Sequence, residues 1–183
     1  RLEVVPNGIE PFWSQPLSPN VDKEKWMKKF ETHQILLSVG TDAWYKNNRW
    51  SLMLLKDLPE RFHLLRIGNF TDDNQSFINQ EGLKERITTV QAISDQQLKW
   101  AYHYAEALFF PSLSEGFGWP ALEASLCGCP VVTDGHGAIE EVLMVKNIIP
   151  LEEAQTWLLN ESHYTSDVPD FLSWNDQIER LLA

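Results

Sequence analysis

Cysteine is almost absent from the sequence. Cys127 and Cys129 are the whole complement, and at two residues apart they supply neither a disulfide framework nor the two spaced pairs of a structural zinc site. They read as buried small residues beside a packed strand, in a reducing, cytoplasmic setting. Positive charge is scarce as well: 15 Lys and Arg stand against 26 Asp and Glu, a net charge of −11. That balance argues against nucleic acid or an anionic membrane surface as partner. It also makes any polyanion site depend on a few local cations and backbone N–H groups. No stretch approaches the roughly 18 consecutive apolar residues of a membrane span, and no basic-then-apolar signal pattern opens the chain. Arg1 in place of methionine reads as a fragment or a domain boundary.

Hydrophobic residues make up 43% of the chain, enough for a full core in one domain over residues 1–183. Short apolar runs read as strands at residues 35–39, 63–67, 86–90, 107–110, 130–133 and 147–150. Helical patterns lie at 21–31, from 48 onward, and at 71–82, 98–106, 121–126, 152–159 and 174–182. A further short strand is read at 2–5, before the turn Pro6-Asn7-Gly8, and residues 12–20 are proline-rich and irregular. This alternation predicts an α/β fold: a Rossmann-like three-layer αβα sandwich with a mostly parallel sheet of about six strands. Ligands of such sheets bind at the carboxyl ends of the strands. The loops at 40–46, 90–93 and 114–118 all fall there. Trp100, Tyr102 and Tyr104 recur at helical spacing and read as core. Thr71-Asp72-Asp73-Asn74 reads as a helix cap, not as a spaced metal-binding Asp pair.

The most informative stretch is Pro111-Ser112-Leu113-Ser114-Glu115-Gly116-Phe117-Gly118-Trp119-Pro120-Ala121-Leu122-Glu123-Ala124. It reads as a strand end, a glycine loop and a helix start. Gly116 and Gly118 allow positive φ and close approach of a ligand. Pro120 suits the first helical turn, where its missing N–H costs nothing. Unpaired N–H groups and the helix dipole then favour an anion, phosphate above all. Glu115 and Glu123 lie about 12 Å apart if helical rise separates them. They are placed to accept from hydroxyls on two parts of one long ligand, sugar and ribose being the obvious donors. A strand, a glycine loop and a helix occur in every α/β protein, so these features alone leave both glutamates readable as solvated acids.

The run Glu-Gly-Phe-Gly-Trp-Pro-Ala-Leu-Glu-Ala, followed by Gly128-Cys129-Pro130-Val131-Val132, resembles the signature of the family 4 (group 1) retaining glycosyltransferases. The resemblance extends along the chain. Pro6-Asn7-Gly8 looks like the family's entry into its second domain. Gly40-Thr41-Asp42-Ala43-Trp44-Tyr45-Lys46-Asn47 looks like its "G…KN" loop. Ser94-Asp95-Gln96-Gln97-Leu98 resembles its "S-D-E-E-L" element, Glu141 the acid of its "P-E-V", and Ser173-Trp174 its late "S-W". Three departures stand out. The arginine that many members carry before the lysine is missing, leaving Arg49 or Arg66, or a missing domain, to supply a second cation. Ala92 stands where a glycine is usual. Glu140 replaces a proline.

The resemblance implies the GT-B architecture, with this chain as the C-terminal, nucleotide-sugar-binding half and an N-terminal acceptor domain outside it. It implies a metal-independent, retaining hexosyltransferase in polysaccharide synthesis, cytoplasmic and peripheral at the membrane through the missing domain. No cofactor is implied; the nucleotide-diphosphate sugar is a substrate. Glu115 and Lys46 carry the catalytic roles. Glu115 binds the sugar hydroxyls and Lys46 neutralises the departing diphosphate. Gly40, Thr41, Val90, Ile93, Gly116, Phe117 and Gly118 complete the donor site with Glu123, which accepts from the ribose. His136 in its glycine-rich loop reads as structural or solvated more readily than as a general base. The competing readings are an epimerase or phosphorylase of the same fold, and a non-catalytic docking module. The isolated chain is expected to bind donor and transfer little sugar.

Overall fold

A computed structural model describes residues 9–17, 30, 32–135, 139 and 148–160. The strand expected at 2–5, the Pro6-Asn7-Gly8 turn, His136, Glu140, Glu141 and the closing helix with Ser173-Trp174 lie outside the described residues. Of the helix expected at 21–31, only Phe30 is described.

Among the described residues, six strands form one sheet: β1 (Gln34–Val39), β2 (Phe62–Ile67), β3 (Ile87–Val90), β4 (Ala105–Phe109), β5 (Val131–Val132) and β6 (Ile148–Ile149). Their spatial order is β3-β2-β1-β4-β5-β6, and every pairing is parallel. The described helices are α1 (Asn48–Asp57), α2 (Asp72–Gln80), α3 (Asp95–Tyr104), α4 (Trp119–Leu126) and α5 (Ala154–Leu159).

Side chains alternate across a strand, so a sheet covered on both faces needs apolar residues at successive positions. β1 supplies them. Ile35 and Leu37 join α3, α4 and Trp13 on one face. Leu36 joins α1, α2 and α5 on the other. Phe109 and Phe110 divide in the same way. The result is the expected three-layer sandwich. Leu36, Leu37, Leu64 and Leu65 are completely buried, each contributing about 1.5–3 kcal/mol by its removal from water.

Several local expectations need correction. The helix read at 98–106 starts at Ser94-Asp95, a start the sequence also signals, but it ends at Tyr104, and β4 begins directly at Ala105. Alanine and glutamate favour helix, but pairing of Ala105 with Ile35 overrides that preference. Residues 84–86 form a single 3-10 turn before β3, and Pro11–Ser14 form another within the stretch expected to be irregular. Thr71 precedes α2 without a side-chain cap. Its N–H and hydroxyl both go to Asp42 instead. Helix α3 starts with a complete capping box, in which Ser94 accepts from the Gln97 N–H and Gln97 accepts from the Ser94 N–H.

Candidate functional site

β1 and β4 are neighbours in the centre of the sheet, and successive strands continue outward from them in opposite directions. The loops leaving their carboxyl ends therefore part here and open the crevice where sheets of this class take ligands. The β1 loop carries Lys46 and the β4 loop carries Glu115. Lys46 Nζ donates to Glu115 Oε1 at 2.6 Å, with both side chains largely buried. The Leu113 N–H donates to Tyr45 O at 2.7 Å and ties the two loops together. The ammonium also lies over the Phe110 ring, 5.3 Å from its centroid. Asn47, at φ 51°, turns the chain from Lys46 into α1, a left-handed conformation that asparagine tolerates.

On the other side of the β1 loop, a cleft of about 580 Å³ covers the carboxyl ends of β1, β2 and β3. Val39–Asp42, Ile67–Thr71, Gln91 and Ala92 line it. Gly40 and Thr41 are thus where the sequence places them. From the candidate loop 90–93, Gln91 and Ala92 line the cleft. Ala92 takes φ 50°, so a side chain stands in a backbone state that glycine adopts without strain. Gly68 is required sterically: at φ +129°, an added Cβ would lie 2.1 Å from Gly40 O.

Beneath the cleft lies a network that sequence reasoning missed. Arg66 is fully buried. It donates to Ser38 Oγ at 2.7 Å, to Gly40 O at 2.8 Å and to Asn69 O at 3.3 Å. Burial lowers its pKa to about 10, and the Asp42 charge opposes that shift. Asp42 accepts from the Thr71 N–H at 2.6 Å, from Asn48 at 2.7 Å and from Asn74 at 2.8 Å. Burial raises the Asp42 carboxyl, but these bonds outweigh it and hold the group below its usual value. Arg49 points along α2, donating to Asn74 Oδ1 at 2.7 Å and to Asp73 O at 2.9 Å, over the Phe77 ring. Neither arginine therefore presents a free guanidinium fork, which leaves the missing domain among the three sources expected for a second cation. A buried arginine on a strand end and an aspartate three residues beyond β1 gave no periodic signal, so the pattern could not disclose that Arg66 is bonded under the cleft or that Asp42 reaches the start of α2.

The glycine loop leads into α4. Of its two glycines only Gly118 takes positive φ, at 87°, which corrects the expectation for Gly116. An added Cβ at Gly118 would meet Ile139 at 3.4 Å. Pro120 sits in the first helical turn as expected. Phe117 lies against Trp119 with ring centroids 4.4 Å apart. Glu123, further along α4, accepts from the Tyr102 hydroxyl at 3.0 Å. Burial lifts its carboxyl, the Tyr102 bond draws it back and the Asp95 charge lifts it again, leaving it at about 7. Tyr102 is itself raised well above its usual value, by burial first and the Glu123 charge second, so it stays a neutral donor. Cys127 and Cys129 are free and buried. Burial pushes the Cys127 thiol up to about 12 and raises Cys129 too. Both are inert packing residues, as expected.

Residues 21–147 match the family model of the glycosyl transferases group 1. The chain belongs to that family. It is 30% identical over 127 residues to the O-antigen chain mannosyltransferase RfbU of Salmonella typhimurium, a match covering 68% of this chain and 36% of that protein. The fold is similar to that of Anabaena HepE, solved with UDP and glucose, at 21% identity and a TM-score of 0.71 over 98% of this chain and 56% of that one. It is similar also to the C-terminal domain of the group 1 protein LpcC from Francisella tularensis, at 19% identity and a TM-score of 0.61. That match covers 82% of this chain and 86% of that domain. The six-stranded parallel sheet of this group 1 chain is thus one Rossmann-like half of the GT-B architecture. The chain spans well under two thirds of the length of the relatives it matches, 36% of RfbU and 45% of a Methanocaldococcus jannaschii glycosyltransferase. Among the described residues, no helix is long and apolar enough to cross a membrane.

Proposed function

We propose that residues 1–183 are the donor half of a retaining, metal-independent hexosyltransferase whose acceptor site belongs to an N-terminal domain. The observation that carries this reading is the Lys46–Glu115 pair, one residue from each loop at the parting of β1 and β4. HepE, of similar fold, has been solved with UDP-glucose, and RfbU is a mannosyltransferase. Both fit a site for a hexose on a nucleoside diphosphate.

The chemistry follows from the valences of the two groups. The Lys46 ammonium has three N–H bonds. One goes to Glu115 and two remain for phosphoryl oxygens. As the bond between the sugar's anomeric carbon and the diphosphate lengthens, negative charge gathers on the leaving oxygen, and a fixed ammonium in a half-buried site stabilises it. Glu115 Oε2 is left to accept from a sugar hydroxyl, orienting the ring and stabilising the positive charge on the anomeric carbon. Glu123 accepts from the ribose. Backbone N–H groups at 116–118 and the start of α4 supply further anion contacts. Gly40 and Thr41 at the cleft, and the loop after β3, accommodate the rest of the nucleotide. The setting is polysaccharide synthesis at the cytoplasmic face of a membrane.

Calorimetric titration with UDP, GDP and ADP and their hexose conjugates tests the reading. One nucleotide is expected to bind selectively, and Glu123→Ala to weaken it. Absence of any nucleotide binding, in this chain and in the full-length protein alike, sinks the donor assignment and favours a docking module.

A further inference from the structure

Tyr102 on α3 is completely buried, and its hydroxyl donates to Glu123 Oε2 on α4. The tyrosine ring is backed edge-on by Trp13, with centroids 5.9 Å apart. The turn that bears Trp13 is pinned from two sides. Lys99 Nζ, from α3, donates to Phe12 O, and Cys127 Sγ, at the end of α4, donates to Trp13 O at 3.5 Å. The phenol is thus walled in, and its one polar atom is spent on the carboxylate. Among the described residues, Glu123 Oε1 accepts no hydrogen bond.

We propose that Tyr102 is a positioning residue for Glu123, occupying Oε2 and fixing the carboxylate plane so that Oε1 accepts from a ribose hydroxyl of the donor nucleotide. The inference rests on the donor-site reading above and adds to it a group that touches no substrate. A half-buried carboxylate without this bond is free to rotate and gains a proton more readily, and a protonated oxygen is a poorer acceptor. The titratable groups acting on Glu123 are Tyr102 and Asp95 from α3 and Cys127 after α4, with Lys99 beside that cysteine. Tyr102 is the one that hydrogen-bonds it.

The test compares wild type, Tyr102→Phe, Glu123→Gln and the double variant by calorimetry. The probes are UDP, GDP and ADP, each beside its 2′-deoxy form, across neutral pH. Wild type is expected to prefer the ribonucleotide. Tyr102→Phe is expected to lose about tenfold in ribonucleotide affinity, roughly the worth of one charge-assisted hydrogen bond. It should keep its 2′-deoxy affinity, and the pH midpoint of binding should move upward. The double variant is expected to bind no worse than Glu123→Gln alone. Equal losses for both sugars, or additive losses in the double variant, overturn the role of Tyr102 while leaving the donor site standing. A wild type that binds no nucleotide overturns the donor reading and this inference with it.

Discussion

Lys46 and Glu115 are 69 residues apart in the chain and 2.6 Å apart in the fold. Each comes from a loop that follows a central strand, and the Leu113 N–H to Tyr45 O bond holds those loops in register. On the proposed reading, the pair accounts for a diphosphate site in a chain of net charge −11. One cation, desolvated and fixed, does what many solvated ones do less well.

Lys46→Ala is expected to weaken nucleoside diphosphate binding by about 10- to 100-fold, the range of a lost charge-assisted contact. Nucleoside binding should hardly change, because on the proposed reading the part of the donor that the ammonium meets is phosphate. Titration of UDP, GDP and ADP against the parent nucleosides checks this. Glu115→Gln is expected to spare nucleotide affinity and to remove the extra affinity of the sugar conjugate.

Asp42 joins the β1 loop to the start of α2 through Thr71, Asn48 and Asn74. Its carboxyl is lower in the folded chain than its ordinary value of 3.8. The stability it contributes is therefore complete above that ordinary value and is lost as pH falls through the lower, folded value. Asp42→Asn is expected to reduce stability at neutral pH by about 1–3 kcal/mol, as buried donors lose a charged acceptor. The difference from wild type should shrink in acid below 3.8. Urea unfolding at a series of pH values reads both effects.

Glu106 and Glu123 behave in the opposite sense, burial raising each from 4.5 to about 7. The folded chain holds these protons more tightly than the unfolded chain. The stability these two groups contribute is then greatest below 4.5 and is lost as pH rises toward 7. Glu106→Gln is expected to flatten part of that decline and to raise the melting temperature by about 2–4 °C above neutrality. A pH series of thermal melts on the two proteins measures it.

Gly68→Ala is expected to be far more damaging than Gly40→Ala. At Gly68 a Cβ would sit 2.1 Å from Gly40 O, whereas at Gly40, φ +117°, it would meet nothing within 4 Å. The Gly40 variant carries backbone strain of roughly 1–3 kcal/mol. The Gly68 variant must also part the ends of β1 and β2, so a loss well beyond that range is expected in equilibrium unfolding.

Trp119, packed on Phe117 beside the glycine loop, supplies an optical readout. Donor binding at 116–118 is expected to change its fluorescence, and Trp119→Phe should abolish that signal while leaving calorimetric affinity within about twofold, because the change replaces one aromatic ring by another.

The order of strands and helices, the parallel sheet and the loops at the carboxyl ends of its strands were all written in local pattern. Apolar runs buried on both faces alternate with amphipathic helices, and right-handed crossovers leave few arrangements open. The stretch 111–124 likewise declared its turn, its helix start and its acids, because glycine, proline and a spaced pair of glutamates act through nearest-neighbour chemistry. Junctions were less legible. Ala105 and Glu106 favour helix, and only the neighbouring β1 makes them strand.

What a contact between distant residues decides was out of reach of any local rule. Nothing in the composition of 40–46 says that Lys46 meets Glu115, that Arg49 is spent on α2 while Arg66 is sealed under the cleft, or that Tyr102 holds Glu123. Those pairings depend on which strands lie side by side and how far each loop reaches. A side chain's partner, and with it its charge state, is set by packing in three dimensions, and the local chain carries no record of it.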